Sequence, residues 1–496
     1  MDQLDRVHRP PGLPGEVRAA PRGSFPSDLF PDGGHRPDEN RSDAKPATHP
    51  ADGGRGVNGK GFLRPGRHPD DKAILALAVP ALGALAADPL YSVVDTILVG
   101  HLGPRPLGAL AIGTAAFTIS FWVFSFLAFG VTPKVAMLLA AGDRDGAGVV
   151  GVQALLLAVV MGAAVSIAGV VFAGPVVRGL GAGPEIAGLA EDYLRIRVLA
   201  SIPVLLVTVG HGWLRGAQDT RTPMLIVTAG AVANAILDYV FIYPLGWGVA
   251  GAAWATVIGQ AGAAVGFAIV LRKRMRPPSW RWHGPSLREL LTVGAALVVR
   301  TGVLLGALTV ATSAAARMGV VPLASWQIAM QVFSLLAFTA DSVAIAAQAL
   351  VGNRLGAGSI PDATAVGRRL LSWGIGLGFV LALILVPLSR PLASAFTDDG
   401  AVVDAAARLL LWIGLLQPVS AIAFTLDGIL MGASDMRFLA GAMAVCGAFF
   451  VPLALVSVSA GWGTGGLAAG LAVWLVLRSV LTGWRFGNGR WATAAR

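Results

Sequence analysis

From Ala73 onward the chain is a near-continuous succession of apolar runs, broken by Gly, Pro and short charged stretches. Twelve runs stand out, near residues 73–101, 105–138, 146–173, 188–214, 222–243, 248–271, 288–316, 322–351, 366–388, 402–431, 437–459 and 464–484. A helix of about 20 residues crosses about 30 Å of hydrocarbon, so each run is long enough to span a bilayer. The longer ones need tilt or kinks. None alternates with the period of two that a barrel strand requires. The pattern therefore predicts an all-α integral membrane protein with twelve transmembrane helices.

Composition agrees. Of 496 residues, 55% are apolar and 13% charged, against about 25% charged in an ordinary globular protein. The mean hydropathy is +0.68. The single cysteine, Cys446, allows no internal disulfide and no thiolate cluster. No HExxH or other dense group of metal-binding side chains occurs, and the length leaves no room for a large soluble catalytic domain, so an enzyme is not expected. Residues 1–72 differ from the rest, with 12 Lys and Arg, 11 Asp and Glu, 11 Pro and 11 Gly and no apolar periodicity. They read as a disordered tail, and without an apolar core they are no signal peptide. Gly54 to Lys60 imitates a phosphate-binding loop. Gly61 stands where Ser or Thr should ligate magnesium, and no strand precedes it.

The basic residues orient the chain. With both termini inside, 30 of the 38 Lys and Arg fall at inner ends of spans, 7 at outer ends, and Arg300 within a span. The inner excess fixes the orientation by the positive-inside rule. The net charge of +10 thus reports topology and anionic headgroups, and no nucleic-acid partner is expected. The expected organisation is a cytoplasmic tail (1–72), a first six-helix lobe (73–273), a basic cytoplasmic linker (274–286), a second six-helix lobe (287–485) and a short cytoplasmic tail (486–496).

Those lobes are repeats. Gly212 to Arg221 matches Gly428 to Arg437 at six of ten positions, at an offset of 216, and Gly246-Trp247-Gly248 matches Gly461-Trp462-Gly463 at 215. Leu107 and Ile112 face Leu323 and Ile328 at an offset of 216. An even number of spans per repeat leaves both halves in one orientation, which predicts two parallel lobes around a central cleft, a transporter architecture. Each Gly-Trp-Gly also opens a G-x-G-x-x-G pattern, but between two apolar helices a tight outer hairpin explains it better.

The chain resembles the multidrug and toxic compound extrusion (MATE) transporters, in particular their DinF-like bacterial branch. The resemblance covers roughly residues 73–485 and is carried by Pro89-Leu90-Tyr91 through Asp95-Thr96, Gly100-His101-Leu102-Gly103, and Leu214-Arg215-Gly216 with Asp219 to Pro223. Asn234, Asp238, the Ala344–Gly352 stretch and Asp427-Gly428 continue it. It implies export of amphipathic, often cationic, compounds in exchange for sodium ions or protons. It also implies a cation site at Asp95, Asn234, Asp238 and Thr256.

The residues support that site independently. A charged Asp near a helix centre costs about 2.5–3.5 kcal/mol on insertion scales, so intramembrane acids usually have a task. Asp95, Asn234, Asp238 and Thr256 fall at one depth, just below the outer surface, and Asn234 and Asp238 are one helical turn apart. The other reading is an interhelical polar clamp with Asp95 as a capping residue. At the repeat offset the second lobe has Ala311, Phe449 or Phe450, Leu453 or Ala454, and Leu471 or Ala472. A set needed only for folding should occur in both lobes.

The second lobe carries Arg300, Asp341 and Asp427, which can be a self-neutralising buried network or a proton-relay or substrate site. Asp88 with Pro89 can form a bendable gate below Asp95, or a static kink of the kind proline produces. Gln327 and Gln331 can face the cleft or a neighbouring helix, and His211, at the repeat position of Asp427, reads as a packing residue.

The function expected from these readings is cation-coupled antiport by alternating access, with a small amphipathic molecule as substrate and the bilayer as surroundings. No cofactor is expected beyond the coupling ion, H+ or Na+, and no metal site other than Na+ at those four residues. The alternative is a flippase for a lipid-linked or other amphiphilic metabolite, which should show a cluster of basic residues in the cleft where only Arg300 is expected. The Arg/Ala/Gly bias points to a high-GC bacterium and so to its plasma membrane, where the chain is expected to work as a monomer.

Overall fold

The computed structural model describes residues 68–275 and 280–493, apart from the side chains of Asp88, Ile119, Trp122 and Val123. Most of the expected N-terminal tail, with the phosphate-loop imitation, lies outside the described residues. Among those described there are fourteen α-helices and no strand: α1 (Pro69–Gly100), α2 (Pro104–Phe121), α3 (Phe126–Ala140), α4 (Arg144–Gly179), α5 (Pro184–Arg197), α6 (Ser201–Gly216) and α7 (Arg221–Ile242), followed by α8 (Gly248–Arg274), α9 (Gly284–Met318), α10 (Val320–Gly356), α11 (Ile360–Ser394), α12 (Gly400–Gly432), α13 (Met436–Ser459) and α14 (Gly463–Gly487).

Twelve crossings result, because two predicted spans are each built from two helices. The second is α2 and α3 joined through a 3-10 turn at Trp122–Ser125, and the fourth is α5 and α6 joined through one at Val198–Ala200. In the fourth span Pro203 follows the break by three residues. It cannot donate to the carbonyl of Leu199, so the chain restarts a helix there. Helices α1–α8 pack among themselves, as do α9–α14. Large apolar side chains such as Val79, Leu225 and Leu383 are exposed, as lipid-facing positions should be, and Trp247, Trp280, Trp462 and Trp484 lie exposed near helix ends, where an interfacial belt forms.

The repeat has a backbone cause. Gln218 and Ser434 are the non-glycine residues with positive φ, 59° at each, and they stand 216 residues apart. Each ends a helix through a Schellman turn, closed by Asp219 N–H on the Leu214 carbonyl (2.8 Å) and by Asp435 N–H on that of Leu430 (3.0 Å). The preceding glycines bring backbones together. A Cβ at Gly216 would lie 2.6 Å from the Thr132 carbonyl oxygen on α3, and one at Gly432 would lie 3.0 Å from that of Gln348 on α10. The repeated motif thus marks a close helix pair in each lobe.

The lobes meet at one end only. A single buried cluster, including Leu77, Val131, Leu350 and Ile429, runs across both lobes at the basic end of the helices. Toward the other end the cores are separate, one in the second lobe around Trp326 and Phe450 and two in the first. Polar links reinforce the joined end. Asp71 on the first turn of α1 receives Arg369 Nε at 2.7 Å, Arg369 Nη2 at 2.8 Å and Trp373 Nε1 at 2.9 Å, all from α11. Arg354 of α10 reaches Asp70 at 3.2 Å, and Lys134 meets Glu289 at 2.7 Å. Helix α1 begins four residues before the expected start at Ala73, and those residues include both acids of this latch.

Two predictions follow from this arrangement. Asp219 lies in the turn between α6 and α7. Burial alone would push its carboxyl up, but bonds from the Thr222 hydroxyl and N–H and from Arg274 hold it below the usual carboxylate range. Its contribution is therefore present above the unfolded value of about 3.9 and is lost as pH falls through the depressed folded value. Asp219→Asn should lower the thermal midpoint at neutral pH, with the gap to wild type closing below about pH 4. Arg369→Ala leaves Asp71, 3% exposed, without its bidentate partner. Breaking a buried pair on one side costs about 3–5 kcal/mol, so this variant should melt earlier and admit a thiol reagent to cysteines placed at the joined end.

Candidate functional site

Four elements converge on a buried polar pocket in the first lobe, at the end away from the latch. Helix α1 supplies Asp95 from its penultimate turn, α7 supplies Asn234 and Asp238, α8 supplies Thr256, and α5 supplies Arg197. Asp95, Asn234, Asp238 and Thr256 are 6%, 4%, 0% and 2% exposed, so none points into lipid. In the amide orientation that satisfies both of its ends, Asn234 Nδ2 donates to Asp238 Oδ2 at 3.1 Å and to Asp95 Oδ1 at 3.2 Å. Its Oδ1 accepts the Thr256 backbone N–H at 3.1 Å. The close approach of α7 to α8 depends on Gly259, where a Cβ would lie 3.2 Å from the Cβ of Asn234.

A single Asn234 amide nitrogen thus joins the Asp95 and Asp238 carboxyls. Two ionised carboxylates only accept, so a direct bond between them would require a proton. Asp238 Oδ1 is buried without a hydrogen-bond partner. Thr256 joins through its backbone, while its hydroxyl donates to the Ala252 carbonyl of its own helix at 3.0 Å.

Arg197 belongs to this pocket, although it stands near the outer end of the fourth span, where a linear count groups it with the outer charges. In the structure it is 6% exposed. Its Nη2 donates to Tyr91 Oη at 3.2 Å, its guanidinium stacks 4.2 Å from the Phe117 ring centroid, and it lies within electrostatic reach of Asp95 and Asp238. Its Nη1 has no partner. Its distance into the apolar run was the available signal, since an intramembrane Arg is a functional candidate by default. Two carboxyls and one guanidinium leave the pocket one positive charge short of neutrality when both acids are ionised.

The second lobe buries apolar side chains at the matching positions. Ala311, Phe450, Ala454 and Leu471 are all core residues, and Phe450 packs edge-on against Trp474 at 5.5 Å. Arg300, Asp341, Asp427 and Arg478 lie elsewhere, lining a cavity of about 1060 Å³ between the lobes. Arg300 and Arg478 share Asp427, Arg478 Nη2 donating to its Oδ2 at 2.6 Å and Arg300 Nη2 donating to the same oxygen. Asp341 lines the cavity beside them, and Arg215 enters from α6. The expectation that Arg300 is the lone basic residue of the cleft is therefore corrected: there are three. Arg215 and Arg478 sit within a turn or two of inner span ends, which is why they were counted with the loop charges.

Thr312, Ser313, Ala316 and Leu323 form the cavity wall near the α9–α10 turn, the end opposite the latch. The cavity thus opens away from the basic end. Gln327 lines it, whereas Gln331 is exposed outside that wall. His211 packs against Phe267 at 5.0 Å, consistent with a packing role. Helix α1 runs unbroken through Pro80 and Pro89, Leu85 reaches the cavity, and the side chain of Asp88 lies outside those described.

Residues 80–240 and 296–456 match the MatE family, as two blocks that begin 216 residues apart. Protein DETOXIFICATION 44, chloroplastic, of Arabidopsis thaliana is 33% identical over 432 residues, covering 84% of this chain and 83% of its own. DNA damage-inducible protein F of Escherichia coli (strain K12) is 28% identical over 442 residues, 86% of this chain and 94% of its own. The crystal structure of MATE in the bent conformation shares the fold, with a TM-score of 0.80 at 21% identity over 87% of this chain and 98% of that one.

Arg197→Gln should destabilise the pocket, because it removes the one cation beside two facing carboxyls. Arg197→Lys should recover part of the loss. The thermal midpoints of the purified variants, ranked wild type, then Lys, then Gln, check this.

Proposed function

This chain belongs to the MatE family of multi-pass membrane transporters, and we propose that it is a cation-coupled antiporter that exports amphipathic small molecules by alternating access. The observation that carries the proposal is the convergence of Asp95, Asn234 and Asp238 with the Thr256 amide and Arg197 in one lobe only. One monovalent cation, H+ or Na+, restores neutrality there. A proton would be shared by the two carboxyls; a sodium ion would draw on carboxylate, amide and hydroxyl oxygens, the hard donors such an ion takes. The protein's part is to keep the pocket dry and to hold the acids close enough that the empty site is electrostatically costly.

The basic end is assigned to the cytoplasm by its Lys and Arg, so the cavity is open outward in this conformation. Cation loading in the first lobe favours release of the bound compound. The lobes then rock about the shared core, the latch at Asp71 and Arg369 parts, and the cation leaves to the cytoplasm as a new compound enters. A positive charge moving down the membrane potential supplies about 2.3 kcal/mol per 100 mV. The working unit in this reading is a monomer. A bacterial plasma membrane is the setting that composition favours.

A flippase for an amphiphilic metabolite is the second reading, and one observation favours it: the cavity floor carries three arginines. The coupling pocket in the first lobe has no evident use in that reading. In inverted vesicles, uptake of a fluorescent amphiphile should follow an imposed H+ or Na+ gradient and be abolished in Asp95→Asn. Gradient-driven uptake that survives in Asp95→Asn would reject the proposal.

A further inference from the structure

Where the first lobe hands over to the second, the chain is pinned to α4 on both sides of the changeover. Met275, 5% exposed, packs on α4 at Gly151, where a Cβ would lie 2.7 Å from the Met275 Cε. Two residues further along α4, the buried Gln153 grips the chain again with both ends of its amide. Its Nε2 donates to the Arg281 carbonyl at 2.8 Å, and its Oε1 accepts the His283 N–H at 2.9 Å. A buried amide satisfied at both ends by another segment's backbone holds that segment in one register. His283 then caps α9, its ring accepting the Ser286 N–H at 3.4 Å. Residues 280–283 are thus fixed to the first lobe at the point where they open the first helix of the second.

The outward side of this segment is aromatic and basic. Trp280 and Trp282 are 63% and 51% exposed. Arg272 and Lys273 at the end of α8, with Arg281 and Arg288, are exposed, and none of the four forms an ion pair among the described residues. Two acids at this end are already matched, Asp219 to Arg274 at 2.6 Å and Glu289 to Lys134 at 2.7 Å. From here a groove of about 470 Å³ runs along α9, lined by Gly284, Leu287, Arg288, Leu291, Thr292 and Ala295. That spacing is one face of a helix. The Thr292 hydroxyl is taken up by the Arg288 carbonyl at 2.8 Å, so the face is apolar apart from the Arg288 guanidinium.

We propose that this segment binds an anionic phospholipid of the inner leaflet, with its phosphate between Arg281 and Arg288 and one acyl chain in the groove along α9. Exposed guanidiniums without acids of their own draw negative charge, and each Lys or Arg near the surface adds to the attraction of an anionic lipid. The planar fork of arginine fits a phosphate, and the two tryptophans belong at headgroup depth. A soluble anion would use the guanidiniums but leave the tryptophans and the groove uncovered, whereas a lipid covers all three. Because residues 280–283 are held by α4 and the groove lies on α9, the lipid would brace the two lobes at their joined end. The site requires that the chain span a bilayer and does not depend on what the cavity carries.

Native mass spectrometry of the full-length protein tests this. The protein in detergent is titrated with dioleoylphosphatidylglycerol and, separately, with dioleoylphosphatidylcholine, which has the same acyl chains. The first phosphatidylglycerol should bind at least about fivefold more tightly, the scale of one basic residue near a membrane surface. Arg281→Gln combined with Arg288→Gln should bring the preference to within about twofold, while the corresponding pair of Lys substitutions should keep most of it. Arg368→Gln combined with Arg437→Gln removes the same charge from exposed positions elsewhere at the basic end and should leave the preference unchanged. The proposal fails if wild type takes the two lipids equally, or if the Arg281/Arg288 pair can be replaced by Gln without loss of preference. It fails also if the Arg368/Arg437 pair lowers the preference as much, which would reduce the effect to the charge of the whole face. Displacement of the lipid by inorganic phosphate would mark a simple anion seat and contradict it as well.

Discussion

A charge buried within the bilayer must find an opposite charge nearby, and the placement of unmatched charge organises this molecule. The two lobes share a backbone plan to the level of helix caps, yet they spend their buried charge differently. In the first lobe Asp95 and Asp238 outnumber Arg197. At the cavity floor Arg215, Arg300 and Arg478 outnumber Asp341 and Asp427. With both of its acids ionised, the first-lobe pocket lacks one positive charge. A small cation would complete it, and the second lobe can keep an apolar core at the same positions while the lobes move as two copies of one scaffold.

The motion is constrained by what holds the lobes together. Their common core sits at the basic end, where glycine-mediated contacts bring α3 against α10 and the Asp71–Arg369 pair closes over them. Away from it the cores are independent. Each lobe can therefore stay packed while the angle between them changes, with the exchange of polar latch contacts concentrated near α1, α10 and α11. The coupling pocket lies on α1 as well, about seven turns of helix above the Asp71 latch, given about 3.6 residues per turn. One helix thus touches the ion pocket, the cavity wall and the latch.

Much of the fold was legible from the chain. The apolar runs located the crossings, and the offset of 216 located the repeat, because Gln218 and Ser434 hold the same left-handed turn. The depth coincidence of Asp95, Asn234, Asp238 and Thr256 also survives as contact, which depth alone could not decide. Lateral placement is where reading stopped. Arg197, Arg215 and Arg478 stand near span ends, and a linear count treats such residues as loop charge. Only packing reveals that the fourth and last spans turn them inward. The latch was hidden for a related reason: Asp70 and Asp71 follow a polar segment and look like its continuation until Arg354 and Arg369 come to meet them.

The central claim is that the first lobe holds one exchangeable cation and the second lobe none. Counting ions bound by the purified protein tests it most directly, using proton release to a pH electrode or retention of radioactive sodium at saturation. The account predicts one cation per chain, abolished when Asp95 and Asp238 are both replaced by Asn and unaffected by Asp341→Asn. A stoichiometry of zero or two, or one that disappears only with Asp341, would contradict it.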